Sequence, residues 1–143
     1  MINLLNGIES TSAALHAEKI RMEVVGGNIA NANVTRGPDG LPYQRKQVVF
    51  ESVLKQAEAA GGANIPSLHV ARIEADPRPP QMIHDPGHPD ADPDTGMRPL
   101  PNINVFEEMA DYMIASRAYE ANLSVVKTAR ALALQTLAIG RRQ

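Results

Sequence analysis

Apolar residues recur at helical spacing near both ends of the chain and lose that spacing in the middle. From about Ile2 to Ala32, one row of positions seven residues apart is wholly apolar, and a parallel row is only partly so. From about Val105 to Ile139 a clearer pattern follows, with charged residues on its opposite face. Two long amphipathic helices are predicted, each roughly 45 to 50 Å long at about 1.5 Å per residue. The main apolar positions are Ile8, Leu15, Met22, Ile29, Met109, Tyr112, Tyr119, Leu123, Val126 and Leu137.

The second helix has recognisable end signals. Asn104 is a plausible N-cap, and Glu107 occupies the third helical position behind it. Gly140 is a natural stop, and Arg141 and Arg142 suit the negative end of the helix dipole.

The first helix ends in residues that weaken helices. Gly26 and Gly27 each cost about 1 kcal/mol relative to Ala in a helix interior, and Asn28, Asn31 and Asn33 favour turns and caps. Two interpretations remain open. The helix ends near Gly26, or it continues only when packed, with small residues admitting a neighbouring backbone and amides hydrogen bonding to it.

The middle of the chain combines two strand candidates with a proline-rich stretch. "PYQRKQVVFE" and "SLHVARIEA" read as short strands, and "KQAEAAGGAN" between them reads as a flexible tip. Eight prolines follow between Pro77 and Pro101. Because proline lacks a backbone donor, this stretch is excluded from a helix or a sheet interior and is predicted to be an ordered extended loop or a disordered linker.

These elements predict a mainly α fold with a small β insert. The N- and C-terminal helices are expected to pair as a coiled-coil-like core, around a central β-hairpin and an extended proline-rich loop. The expected boundaries are 1–34 for the first helix, 35–103 for the insert and 104–143 for the second helix. One antiparallel pair cannot cover both apolar stripes, so partner chains are predicted to cover the rest.

Composition narrows the class of function. The net charge is −2, the pI is about 6.1, aromatic residues make up 3% and there is no tryptophan, which argues against nucleic-acid binding. There is no cysteine, which removes thiolate chemistry and disulfides. The start resembles no cleavable secretory signal, and the apolar stretches are too short for membrane insertion.

Candidate chemistry is weak along the whole chain. The stretch "HDPGHPDADPDTG" mimics half of a calcium loop, but its glycine comes late, position twelve is Pro101 and prolines replace the flanking helices. A loop whose side chains bond their own backbone is the favoured interpretation. Glu107 and Glu108 begin a helix, where carboxylates suit the dipole. We therefore expect no enzyme, no cofactor and no metal. The side chains in that stretch that could have bound a metal ion are His84, His88, Asp90, Asp92 and Asp94.

Three separated stretches carry a resemblance to a known family. "LHAEKIRMEVVGGNIANANV" resembles the N-terminal motif of the flagellar axial proteins of the rod and hook, including its Asn-Ile-Ala-Asn-Ala-Asn run. "EEMADYMIASRAYEANLSVVKTARALALQTLAIG" is similar to the terminal helix of that family, with its Ser-Arg-x-Tyr-x-x-Asn pattern. "GPDGLPYQRKQVVF", "RIEADPRPPQMIHDPGHPDADPDTG" and "PNINVFEEM" resemble the proximal rod members.

The resemblance implies a structural subunit of the proximal rod of the bacterial flagellar basal body, which self-assembles into a helical tube and transmits torque. It implies export through the flagellar type III apparatus without a cleavable signal, and a place in the periplasmic rod. The implied partners are further copies of the chain, the rod proteins FlgB, FlgF and FlgG, and the rod-base adaptor FliE. The competing class is a soluble helical adaptor or export chaperone.

The subunit interface is the candidate functional site. Arg130 lies within the apolar stripe, and two interpretations of it stay open: an ion pair between subunits, or a side chain that reaches to water. Besides the ten apolar positions named above, the expected interface contains Gly26, Gly27, Asn28, Asn31, Asn33, Ser116, Arg117, Asn122 and Arg130.

Overall fold

Two long helices form the two ends of the protein, with two β-hairpins between them. The structure, a computed structural model, describes residues 2–56 and 64–140. The prediction of terminal helices around a small β part is confirmed, whereas the predicted tip at 57–63 and the two C-terminal arginines lie outside the described residues. The elements are α1 (Ile2–Ala30), β1 (Lys46–Gln56), β2 (Asn64–Ala75), β3 (Gln81–His84), β4 (Met97–Leu100) and α2 (Val105–Gly140).

The helices α1 and α2 pack against each other in antiparallel orientation. Arg21 contacts Asp111 at 3.4 Å, and Asn28, further along α1, contacts Glu108, which precedes Asp111. Small residues lie at the centre of the contact, where Ala17 and Ala115 are buried. Their size lets the two backbones approach closely, so the pair is held together with few large side chains.

The first helix continues through its two glycines to Ala30, so the interpretation that it ends near Gly26 is wrong. The side chain of Asn28 bonds the backbone of Lys46 in both directions, at 2.8 and 2.9 Å, which holds the last turns in place. After Ala30, the side-chain amide of Asn31 donates to the carbonyl of Gly27 at 2.7 Å. The asparagines thus supply the hydrogen bonds that the poor helix formers need.

Strands β1 and β2 form an antiparallel hairpin that packs on α1. The two stretches that the sequence predicts as strands, "PYQRKQVVFE" and "SLHVARIEA", form most of β1 and β2. Val49 pairs with Arg72 and Phe50 pairs with Val70, so one extra residue of β2 forms a bulge at this point.

The proline-rich stretch folds as a second hairpin, and the expectation of an extended loop is wrong for its two ends. Strands β3 and β4 pair antiparallel, with Met82 opposite Pro99. Each strand has four residues and only one neighbour, so Pro99 has no second ladder to interrupt. The segment between the strands is closed by a hydrogen bond from the Asp85 amide to the Gly96 carbonyl at 2.9 Å.

The start of α2 is capped as the sequence predicts. The Asn104 side chain accepts a hydrogen bond from the Phe106 amide at 3.1 Å and donates to Glu107 at 3.0 Å. Among the described residues, neither helix is both long and apolar enough to cross a membrane.

Candidate assembly surface and its polar junction

The helix pair leaves many large apolar side chains in contact with solvent. Met109, Tyr112 and Leu137 are 48, 43 and 55% exposed. The expectation that these three side chains lie in a subunit interface stays a prediction, since the single chain leaves them exposed. Glu108, which precedes Met109, and Ala115 are buried and face α1 instead, so the three large side chains lie on the flank of α2.

The predicted apolar residues share one side of the helix pair, which we call face A. On α1 these residues are half-exposed, and on α2 they are half-exposed or exposed. Because the helices are antiparallel, the flank positions of α1 and α2 lie on the same side of the pair. Face A consists of Ile8, Leu15, Met22, Ile29, Met109, Tyr112, Tyr119, Leu123, Val126 and Leu137.

A second apolar row, which the sequence analysis missed, runs along the other flank of α2. We call it face B, and it consists of Ile114, Val125, Leu132 and Ile139. All four side chains are more than half exposed, and α2 contacts no strand among the described residues. The signal was present in the sequence, because Val125, Leu132 and Ile139 are seven residues apart.

A buried polar cluster, the polar junction, ties the helix pair to the β insert. It consists of Asn28, Tyr43, Arg45, Asp76 and Glu108. Arg45 contacts Glu108 at 2.6 Å and Asp76 at 3.5 Å. Asn28 donates to Glu108 at 2.9 Å and accepts from the Tyr43 hydroxyl at 3.2 Å. Four separate parts of the chain are therefore fixed at one point.

Charge is balanced at the junction by pairing. Glu108 is 1% exposed and meets one cation and one amide donor. Hydrogen bonds from Arg78 to Asp76 lower the pKa of that carboxyl from 3.8 to about 2, with Arg45 adding a smaller effect. Burial raises the pKa of the Tyr43 hydroxyl, and the negative charge of Glu108 raises it further.

The sequence does not predict that Glu108, Arg45 and Asp76 form a cluster. Glu108 was assigned to the helix dipole because it stands in the first turn. One signal pointed inward, since Glu108, Ala115 and Asn122 are seven residues apart and include the buried Ala115. The partners Arg45 and Asp76 come from connecting segments, whose positions no periodicity reveals.

The histidine- and aspartate-rich segment bonds its own backbone, as predicted. The Asp90 amide donates to His88 at 3.1 Å, and the Asp94 amide donates to the Asp92 side chain at 2.9 Å. Asp90 also accepts a hydrogen bond from the Thr35 hydroxyl at 2.8 Å, which docks this segment beside the end of α1. Nowhere in residues 2–56 and 64–140 do three metal-ligand side chains come together.

The remaining expected interface residues differ in how far their side chains are exposed. Asn28 is 0% exposed, and its side chain is used inside the chain. Gly26, Gly27, Asn31, Ser116 and Asn122 are half-exposed, whereas Asn33, Arg117 and Arg130 are exposed. Arg130 forms no ion pair with any residue that the structure describes, so its two interpretations stay open.

Comparison with known proteins decides the family. Residues 8–38 match the family model "Flagella basal body rod protein", and residues 100–139 match "Flagellar basal body rod FlgEFG protein C-terminal". The flagellar basal-body rod protein FlgC of Yersinia enterocolitica is 39% identical over 140 residues, covering 98% of this chain and 100% of that protein. The chain belongs to the FlgC family of flagellar basal-body rod proteins.

Other FlgC proteins match over nearly the same length. FlgC of Escherichia coli O6:H1 is 40% identical, covering 96% of this chain and 98% of that protein, and FlgC of Bacillus subtilis is 29% identical, covering 95 and 97%. The chain is thus a structural subunit of the rod of the flagellar basal body, in a family of structural proteins rather than enzymes. The family resemblance inferred from the sequence is confirmed.

Proposed function

We propose that this FlgC-family chain is a subunit of the proximal rod, and that neighbouring subunits cover its exposed apolar faces in a helical tube. The single observation that carries the proposal is face A. Half-exposed and exposed apolar side chains recur along both helices on one side of the pair, unlike the single apolar residues that are normal on a protein surface. Contacts between unlike surfaces propagate as a helix, as a drive shaft requires.

Assembly is expected to be coupled to folding. The last turns of α1 contain Gly26 and Gly27 and depend on the hydrogen bonds of Asn28. The centre of the helix contact consists of small residues that bury little apolar surface. A pair that is marginal alone gains stability when the neighbours cover face A, and torque then passes through many packed contacts.

The expected partners are further copies of the chain, the rod proteins FlgB, FlgF and FlgG, and the rod-base adaptor FliE. The interface is proposed to contain face A together with Gly26, Gly27, Asn31, Asn33, Ser116, Arg117, Asn122 and Arg130. We place the rod in the periplasmic space and the export of the chain in the flagellar type III pathway. Catalysis is no part of the proposal.

A soluble helical adaptor or export chaperone is the alternative. Such a protein would fold stably alone and form a closed oligomer. Circular dichroism combined with gel filtration distinguishes the two, because high helicity in a small closed oligomer favours the adaptor, and a monomer of reduced helicity favours the rod subunit.

The direct test is mass spectrometry of purified hook–basal bodies, with a deletion strain alongside. The rod proposal expects the chain as a stoichiometric component, and it expects the deletion to leave no rod beyond the base. Rods that assemble without the chain would overturn the proposal and leave the adaptor as the better explanation.

A further inference from the structure

The two apolar faces point in opposite directions. At about 100° per residue, Val125 and Leu132 of face B lie roughly half a turn from Met109 and Leu123 of face A. The row between them, which includes Ala115, is covered by α1. Contact between two A faces would leave face B in water. Contact of A on B covers both faces and can be repeated from copy to copy.

Charge along α2 also disfavours contact between equal segments. The part of α2 from residue 122 to its end at Gly140 contains Lys127 and Arg130 and no acidic residue. Side-by-side packing of this segment on its own copy would oppose like charges, which destabilises helix contacts.

Charged residues without an ionic partner among the described residues lie beside both faces. Glu18 lies three residues after Leu15 and four before Met22, hence beside face A, and its Oε2 atom is buried with no hydrogen-bond partner among the described residues. Arg117 lies three residues after Ile114 and four before Ala121, hence beside face B, and it is exposed.

These observations name the occupant of both faces as a second copy of this chain. We infer that face A of one copy packs on face B of the next, and that Arg117 of the next copy donates to the carboxylate of Glu18. The contact pairs the partly exposed carboxylate of Glu18 with a cation, and it repeats in one direction. The inference rests on the proposed rod assembly and adds to it the pair of surfaces that meet.

Exchange of the two charges tests the ion pair. Cells carry the chain in place of their own copy, with Glu18→Arg, Arg117→Glu or both, and the amount in purified hook–basal bodies is measured. Each single change is expected to lower incorporation about tenfold, since it places like charges in a closed contact, and the double change restores it to within about threefold. Glu23→Arg, on an exposed position of the same helix, is the control and leaves incorporation unchanged.

Failure of the double exchange to restore incorporation would overturn the ion pair. Loss of incorporation in the Glu23→Arg control would show that any new cation on α1 is harmful, and it would overturn the interpretation of the single changes in the same way.

Cysteine cross-linking tests the packing of the faces independently, because the natural chain has no cysteine. A chain with Met22→Cys and Ala121→Cys carries one thiol on face A and one beside face B, on opposite sides of the helix pair. In assembled rods, mild oxidation is expected to give a ladder of chain multiples, while each single variant stays monomeric. The control combines Met22→Cys with Ala131→Cys, an exposed position that lies between the two faces on the outer side of α2, and gives no ladder.

The outcomes separate the two proposals. Dimers of the Ala121→Cys single variant, or rods that contain the double variant without a ladder, would overturn the packing of A on B and leave the rod function intact. Absence of the unaltered chain from hook–basal bodies would overturn the proposed function itself.

Discussion

Glu108 connects the start of α2 to the end of α1 and to the β insert. A buried ion pair is weak evidence of net stability, because desolvation offsets the attraction between the charges. Removing one partner is different, since the other partner then stays buried without compensation. The value of Glu108 therefore lies in the geometry that it fixes, and the cost of losing it is large.

The change Glu108→Ala is expected to lower the free energy of unfolding by about 3 kcal/mol, since it removes the buried carboxylate that accepts from both Arg45 and Asn28. Urea titration followed by circular dichroism measures this. The control is Glu107→Ala, on the exposed neighbour, which is expected to cost less than about 1 kcal/mol. Equal losses in both variants would show that the junction contributes nothing beyond the helix dipole.

The lowered pKa of Asp76 predicts how the free energy of unfolding depends on pH. Its pKa is lowered to about 2 in the folded chain, chiefly by Arg78, and returns to its ordinary 3.8 on unfolding. The ionised carboxylate therefore stabilises the fold above about pH 4, and this contribution is lost as the pH falls from about 4 to about 2. The variant Asp76→Asn is expected to be less stable at pH 7 and to lose less stability across that window.

Urea midpoints at pH 7, 4, 3 and 2 measure this difference. Arg78→Ala provides the matched comparison, because removing the main donor moves the acid transition towards higher pH. Parallel curves for the natural chain and Asp76→Asn would contradict the assignment.

At the scale of elements, the end of α1 balances poor helix propensity against specific hydrogen bonds. A methyl group added at Gly26 or Gly27 would meet nothing within 4 Å. The chain itself therefore does not require glycine at these positions. A requirement for small residues there would come from a neighbouring subunit.

The change Gly27→Ala is expected to raise the stability of the isolated chain by about 1 kcal/mol, through helix propensity. Its incorporation into rods is expected to fall, since the added methyl group separates subunits that approach closely. Gly40→Ala is the control and is expected to destabilise by about 1 kcal/mol, because φ is +79° there. Normal incorporation of Gly27→Ala would contradict a close subunit contact at this point.

The positions of the helices and of β1 and β2 were largely predictable from the sequence, whereas the side of each helix that faces its neighbour was not. Seven-residue spacing located both helices, and two strand-like stretches located β1 and β2. Whether Met109 or Glu108 faces α1 depends on a bond between residues 80 positions apart, which local pattern does not contain. The hairpin of β3 and β4 was hidden for a similar reason, because proline excludes central strands but tolerates an edge.

At the scale of the whole molecule, the helix pair presents two apolar faces that nothing in the described chain covers. The exposed side chains of these faces contribute little to the stability of the single chain, since they remain in water on folding. They stabilise the protein only when a neighbouring subunit covers them. Stability and assembly are therefore expected to respond to different substitutions.

The change Leu137→Glu tests this separation. Leu137 is 55% exposed, so the free energy of unfolding is expected to change by less than about 0.5 kcal/mol. Incorporation into hook–basal bodies and motility are expected to be lost, because the charge would be buried in the contact. Ala131→Glu, at an exposed position on the outer side of the same helix, is the control and is expected to keep both. Normal motility of Leu137→Glu would argue against face A as an interface.

The pairing of the two chain ends has a consequence for the order of folding. Bonds between α1 and α2 join residues 80 and 90 positions apart, whereas the bonds within each hairpin span short distances along the chain. Closing so long a loop costs entropy, so the pairing of α1 with α2 is expected to wait until the folded hairpins have brought the two helices closer together. The hairpins are expected to form first, and the helices close over them as the last and most easily reversed step.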